Sequence, residues 1–276
     1  MSTELRLRII SAIVLASVVL AATWAGGFPF RLLAAAMALL VYYEWSTITR
    51  LGEVDARGNA FGWAATALAA VLTVSGEGVL ALATVAAATV LALAHTAIFK
   101  KSYWLPGGIA YAGLTALSLA AIRADNDTGL IAMLFVFAVV WATDILAYFV
   151  GRAIGGPKLA PSISPGKTWS GAIGGTVSAI VAGGALYLSF FSWPGLWIVL
   201  IALVLSVCSQ MGDLFESFIK RRFGVKDSSR LIPGHGGVMD RVDGLVFACF
   251  AAFLLGLAAI ATGRPVASTG AFLLGL

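Results

Sequence analysis

Nine apolar runs, each bounded by charge, Gly or Pro, follow one another along this chain of 276 residues, at 7–25, 28–48, 60–74, 78–99, 106–122, 129–150, 170–191, 194–218 and 242–262. A helix that crosses a bilayer needs about 20 mostly apolar residues. The pattern therefore predicts an all-α polytopic integral membrane protein with about nine transmembrane helices. Composition agrees, because 60% of the residues are apolar and only 11% charged, against a charged share of about 25% in soluble domains. Those charges are too few to cover a soluble fold, and the chain is too apolar for disorder. Cys208 and Cys249, its two cysteines, sit inside apolar runs and read as small buried hydrophobes. Arg6 and Arg8 ahead of the first run imitate a signal peptide, but the eight runs that follow favour an uncleaved first helix.

Charge sets the orientation. With nine spans and a cytoplasmic N-terminus, 15 of the 18 basic residues fall in the connections that return to the cytoplasm, leaving Arg31, Arg123 and Arg264 for the other side. That is the expected bias of cytoplasmic loops, and it places the C-terminus outside. Trp24, Tyr42, Tyr43, Trp45, Tyr103 and Trp104 lie near span ends, where amphipathic rings anchor helices at the interface. Glycine pairs at 107–108, 174–175 and 183–184 suit close helix packing. No internal repeat stands out. The spans of residues 1–125 hold Glu44 and His95 as their notable polar groups, whereas polar residues enter the spans of 126–276. The first part is expected to be a scaffold, with lipid access or dimerisation as possible roles, and the second to carry the chemistry.

Acids inside spans mark the candidate site, because an intramembrane carboxylate is costly and by default faces a polar cavity or a partner. Asp144 lies about 21 Å along the sixth span, below the cytoplasmic surface. Its plain alternative is a structural acid neutralised by Arg152 or by a neighbouring helix. In CSQMGDLFESFIKRR, Ser209, Asp213, Glu216, Ser217 and Lys220 form one helical stripe. Such a stripe suits a cation held beside anionic oxygens. Asp240 and Asp243 open the ninth span, where a helix dipole favours carboxylates. Capping explains one acid, but two acids facing the previous stripe suit a hard divalent cation such as Mg²⁺.

Two loops add positive charge. In KRRFGVKDSSRLIPGHGG the basic residues also satisfy the orientation rule, while the glycines of PGHGG let backbone N–H groups approach phosphate. In GRAIGGPKLAPSISPGKTWSG, Gly166-Lys167-Thr168 resembles the end of a P-loop but fails its pattern, since Pro161 occupies the first glycine position and a span precedes it. Lys167 remains a phosphate candidate as a point charge near a helix start.

The segment SFIKRRFGVKDSSRLIPGHGGVMDRVD, with TDILAYFVGR, SPGKTWSG and GDLFES upstream, resembles the phosphatidate cytidylyltransferases, or CDP-diacylglycerol synthases, across the C-terminal half. Gly166 departs from the family, which often has a second lysine there. The resemblance implies the reaction CTP + phosphatidate → CDP-diacylglycerol + diphosphate, dependent on Mg²⁺ with room for a second cation, at the cytoplasmic face of a bacterial inner membrane. It assigns metal binding to Asp213 and Asp240, with Asp144 and Asp243 in support. It implies that Lys167, Lys220, Arg221, Lys226, His235 and Arg241 contact phosphates, and it includes Ser217 in the site. CTP and membrane phosphatidate are the expected partners, nucleic acid is not, and a homodimer is implied. A related enzyme acting on an isoprenoid ether lipid is the nearest alternative. An ion-coupled transporter, which would also place acids in spans, is the alternative from another class.

Overall fold

The computed structural model describes residues 3–192 and 195–276. Its elements are α1 (Thr3–Ala25), α2 (Gly27–Ile48), α3 (Leu51–Val54), α4 (Ala56–Val74), α5 (Gly78–Phe99), α6 (Trp104–Arg123), α7 (Asp127–Ile154), β1 (Lys158–Ala160), β2 (Ser164–Thr168), α8 (Trp169–Leu188), α9 (Trp197–Arg222), α10 (Met239–Ala261) and α11 (Thr269–Leu274). The chain is an all-α polytopic membrane protein. Among the described residues, seven helices, α1 and α5 through α10, are long and apolar enough to cross a membrane. The other two long helices also cover expected runs, but Arg31 and Glu44 dilute α2, and Arg57 and Asn59 dilute α4. The expected start of the eighth span, residue 194, lies outside the described residues.

Local chemistry explains where helices begin. Asn126 caps α7 by accepting the Gly129 N–H at 2.8 Å, and Thr168 caps α8 by accepting that of Gly171 at 3.1 Å. The loop between α7 and α8 is not irregular. β1 and β2 pair antiparallel, Lys158 opposite Thr168 and Ala160 opposite Ser164, which places Lys167 on a short hairpin that feeds directly into α8.

The described chain forms two compact units. One comprises Met1–Ala120 with Arg222–Arg241, so the loop after α9 belongs with the N-terminal helices. Its core contains Trp45, whose ring stacks on Tyr111 with centroids 5.3 Å apart and whose Nε1–H donates to the Trp104 carbonyl at 2.8 Å. Gly107 and Gly108 make room for that ring, since a Cβ on either would press into it. Tyr42 and Trp45 are thus core residues and not interfacial anchors, whereas Trp24 and Tyr103 are exposed.

The second unit comprises Ala121–Arg221 with Val242–Leu276. Here α7 and α8 lie against each other through small residues. A Cβ on Gly175 would sit 2.7 Å from the Thr143 carbonyl oxygen, and one on Gly183 would sit 2.8 Å from the Phe135 ring. Close approach of this kind supplies packing between helices that lipid cannot drive together by hydrophobicity. A hydroxyl chain crosses the same unit: Thr143 donates to Ser206 at 2.8 Å, and Ser206 to Thr176 at 3.1 Å.

Candidate active site

The second unit contains a cavity of about 600 Å³. The α7 residues Asp144, Tyr148 and Arg152, the hairpin residue Lys167, and Gln210 and Asp213 of α9 are among the side chains that line it. At its wall Lys167 Nζ and Asp213 Oδ2 are 2.5 Å apart, and the Ser217 hydroxyl donates to the other Asp213 oxygen at 3.4 Å. Asp213 is one helical turn before Ser217, so the rigid helix itself sets that contact. Asp144 lies within electrostatic reach of Asp213, Asp243 and Lys167. Three of the expected acids and two of the expected lysines, Lys167 and Lys220, are therefore in one unit.

Behind this wall the helix stripe faces inward. Ser209 and Glu216 are buried, and Glu216 pairs with Lys220 at 2.9 Å. The Gly244 N–H donates to Asp243 at 2.8 Å. Gly212 permits this meeting of helices, because a Cβ there would collide with the Asp243 carbonyl and lie 2.8 Å from Phe247. Arg221 is exposed, and its Nε–H donates to the Ile163 carbonyl in the hairpin turn at 3.4 Å. Arg152 does not neutralise Asp144. Its guanidinium donates to the Tyr148 hydroxyl at 3.0 Å.

The remaining expected residues belong to the first unit. Asp240 Oδ2 accepts the Ser228 and Gly237 N–H groups, each at 2.8 Å, and lies 2.8 Å from the Ser228 hydroxyl. His235 Nδ1 is 2.8 Å from the Ser11 hydroxyl of α1, and the His235 N–H closes a turn onto the Ile232 carbonyl at 2.9 Å. These contacts tie the loop to α1. Gly234 and Gly236, at φ of +77° and +86°, take the left-handed conformations that this turn requires. Lys226 and Arg241 are exposed.

Sequence reasoning did not foresee Gln210 on the cavity wall, nor the part played by Glu44, which is buried and accepts four hydrogen bonds from the loop of Ser228 to Met239. The signal for Glu44 was present. It is a lone acid in an apolar run, the pattern that marked Asp144.

The chain matches the family described as the cytidylyltransferase family over residues 6–258. It is 48% identical over 255 residues to a protein of Brucella abortus named phosphatidate cytidylyltransferase, across 92% of this chain and 94% of that one. A Bacillus subtilis protein of the same name is 33% identical over 265 residues, across 92% and 98%. One from Haemophilus influenzae is 46% identical over 144 residues, about half of each chain. A match that spans nearly the whole length, and not the C-terminal motifs alone, places this chain in the cytidylyltransferase family.

Proposed function

We propose that this chain transfers the cytidylyl group of CTP to phosphatidate, giving CDP-diacylglycerol and diphosphate, at the cytoplasmic side of a bacterial inner membrane. Nine spans, a cytoplasmic N-terminus and an outer C-terminus go with this proposal, as does a homodimer. One observation carries the chemistry: Lys167 and Asp213 meet on a cavity wall with Asp144 in electrostatic reach. A cationic and acidic wall of this kind suits a triphosphate and its counter-cation together. Lipid access has support in the same unit, since Tyr148 lines the cavity and is exposed, as are its neighbours Ile145 and Phe149.

A phosphate oxygen of phosphatidate attacks the α-phosphorus of CTP in line, and diphosphate leaves. The phosphate monoester, with a second pKa of about 6, is already largely dianionic at neutral pH, so the site needs no general base. Its task is alignment and neutralisation of crowded negative charge. Lys167 serves phosphates directly, with Lys220, Arg221, Lys226, His235 and Arg241 in the same role. Ser217 steadies Asp213.

The carboxylates are hard oxygen donors that suit Mg²⁺. Among the described residues no three His, Cys, Asp or Glu side chains form a ready-made ligand set. Magnesium does not require one, because it usually takes one or two carboxylates and completes its shell with water and substrate phosphates. Asp213 and Asp240 would hold it, with Asp144 and Asp243 in support, and it would offset charge on the leaving diphosphate.

The test is incubation of purified protein with radiolabelled CTP, Mg²⁺ and phosphatidate, beside Asp213→Asn and Asp240→Asn. Lipid-extractable label from wild type and little from either variant is the expected result. No label from wild type overturns the reaction, while full turnover by the variants overturns only the metal assignment.

A further inference from the structure

Glu44 has no exposed surface, yet it lies in the last turns of α2 and is met only by donors. Its Oε1 accepts the Ser229 hydroxyl at 2.6 Å and the Val238 N–H at 2.8 Å. Its Oε2 accepts the Ser228 hydroxyl at 3.0 Å and the Met239 N–H at 2.6 Å. A carboxylate has about four acceptor sites and no donor, so each oxygen meets one hydroxyl and one backbone N–H, the single Ser228 proton being shared between Glu44 and Asp240. Val238 and Met239 stand at the start of α10, where N–H groups lack helical partners and the dipole favours negative charge. An acid far away in sequence thus caps the helix that carries Asp240. The Ser228 hydroxyl also lies 2.8 Å from Asp240 Oδ2, so Glu44 and Asp240 flank one hydroxyl. Gly237 completes the fit, because a Cβ there would collide with both Ser228 and Glu44.

We infer that Glu44 is a positioning residue: through Ser228 and the first N–H groups of α10 it fixes the orientation in which Asp240 meets the metal. This rests on the proposed metal role of Asp240. Groups that orient a ligand carboxylate typically change metal affinity by about 10- to 100-fold when lost. A purely structural Glu44 would instead move stability alone.

The test uses the full chain, purified in detergent, as wild type, Glu44→Gln and Ser228→Ala. Gln matches the shape but sets its NH₂ group against one backbone N–H. Ser228→Ala removes the shared hydroxyl and leaves Glu44 in place. Three quantities are read: Mn²⁺ affinity by electron paramagnetic resonance without CTP or lipid, kcat and KM for CTP, and the thermal midpoint. In Glu44→Gln, Mn²⁺ affinity is expected to fall by at least about tenfold, with kcat reduced and KM for CTP little changed. Ser228→Ala is expected to move the same way by less, with a midpoint near that of wild type. Wild-type Mn²⁺ affinity and kcat in Ser228→Ala and in folded Glu44→Gln overturn the inference, and if Glu44→Gln does not fold, Ser228→Ala alone decides it. A wild type that binds no Mn²⁺ also overturns it. A wild type that binds Mn²⁺ but makes no cytidylyl lipid overturns the proposed reaction and leaves Glu44 standing.

Discussion

Lys167 and Asp213 form an ion pair with Nζ and Oδ2 2.5 Å apart, one residue from the hairpin that leads into α8 and the other from the middle of α9. Both side chains keep contact with solvent, at 26% and 34% exposure. A pair this open contributes about 0 to 1 kcal/mol to stability. Its position on a cavity wall therefore points to substrate and not to folding.

Asp213→Asn and Lys167→Met should accordingly leave the thermal midpoint in detergent nearly unchanged while lowering cytidylyl transfer by roughly 100-fold or more, the scale seen when a charge-stabilising group is removed. Parallel melting and radiolabel assays check this. A large loss of stability with turnover per folded molecule intact would refute it.

The tight seam of α7 and α8 makes a different prediction. Gly175→Ala adds a Cβ 2.7 Å from the Thr143 carbonyl oxygen and 2.9 Å from the Ala147 Cβ, so two backbones must separate. Overpacking of this sort costs about 1 to 3 kcal/mol, more than the gain of up to about 1 kcal/mol in helix propensity. Gly78→Ala, at the first residue of α5 with nothing within 4 Å, has only the gain. Denaturation in mixed micelles should rank Gly78→Ala at or above wild type and Gly175→Ala below it.

These cases also show what the sequence can carry. Among the described residues, apolar run length and bounding charge located the seven helices long and apolar enough to cross a membrane, because the lipid solvent imposes a length on each. The acids of the cavity were legible for a related reason: Asp144 and Asp213 stand out in apolar surroundings. The hairpin of β1 and β2 was not, since a Gly- and Pro-rich loop reads the same whether or not its backbone pairs. Nor was the burial of Tyr42 and Trp45, because an amphipathic ring near a span end suits an interface and a core equally. Glu44 needed the loop of Ser228 to Met239 to be folded against it before its four donors came together.

Asp55 allows a test by pH. It caps α4 through the Gly58 N–H at 2.9 Å and meets His95 Nε2 at 2.7 Å. Burial pushes its carboxyl upward, but the Gly58 and His95 hydrogen bonds and the charges of His95 and Lys101 outweigh this and hold it below the usual carboxylate value. A group depressed on folding stabilises the protein above its unfolded value of about 4 and loses that contribution as pH falls through the folded value. Asp55→Asn retains the cap and removes the charge. The gap in thermal midpoint between wild type and Asp55→Asn should shrink below about pH 4. A gap that widens in acid would reverse the assignment.

Lys220 and Glu216 form the contrasting ion pair, 2.9 Å apart with side-chain exposures of 15% and 1%. The acid here is removed from water, so taking away its lysine leaves a buried charge with less compensation. Breaking one side of such a pair costs about 3 to 5 kcal/mol, several times the value of an open pair. Lys220→Met should therefore lower the thermal midpoint clearly more than Lys167→Met, although both delete a lysine from an ion pair in the same unit. If Lys220 also contacts phosphate, Lys220→Met will lose turnover per folded molecule as well. Restoring the charge with Lys220→Arg separates the effects: stability should recover in large part through the pair with Glu216, whereas turnover recovers only if the longer, planar guanidinium still meets the phosphate. Equal midpoints for Lys220→Met and Lys167→Met would mean that burial does not govern these two pairs.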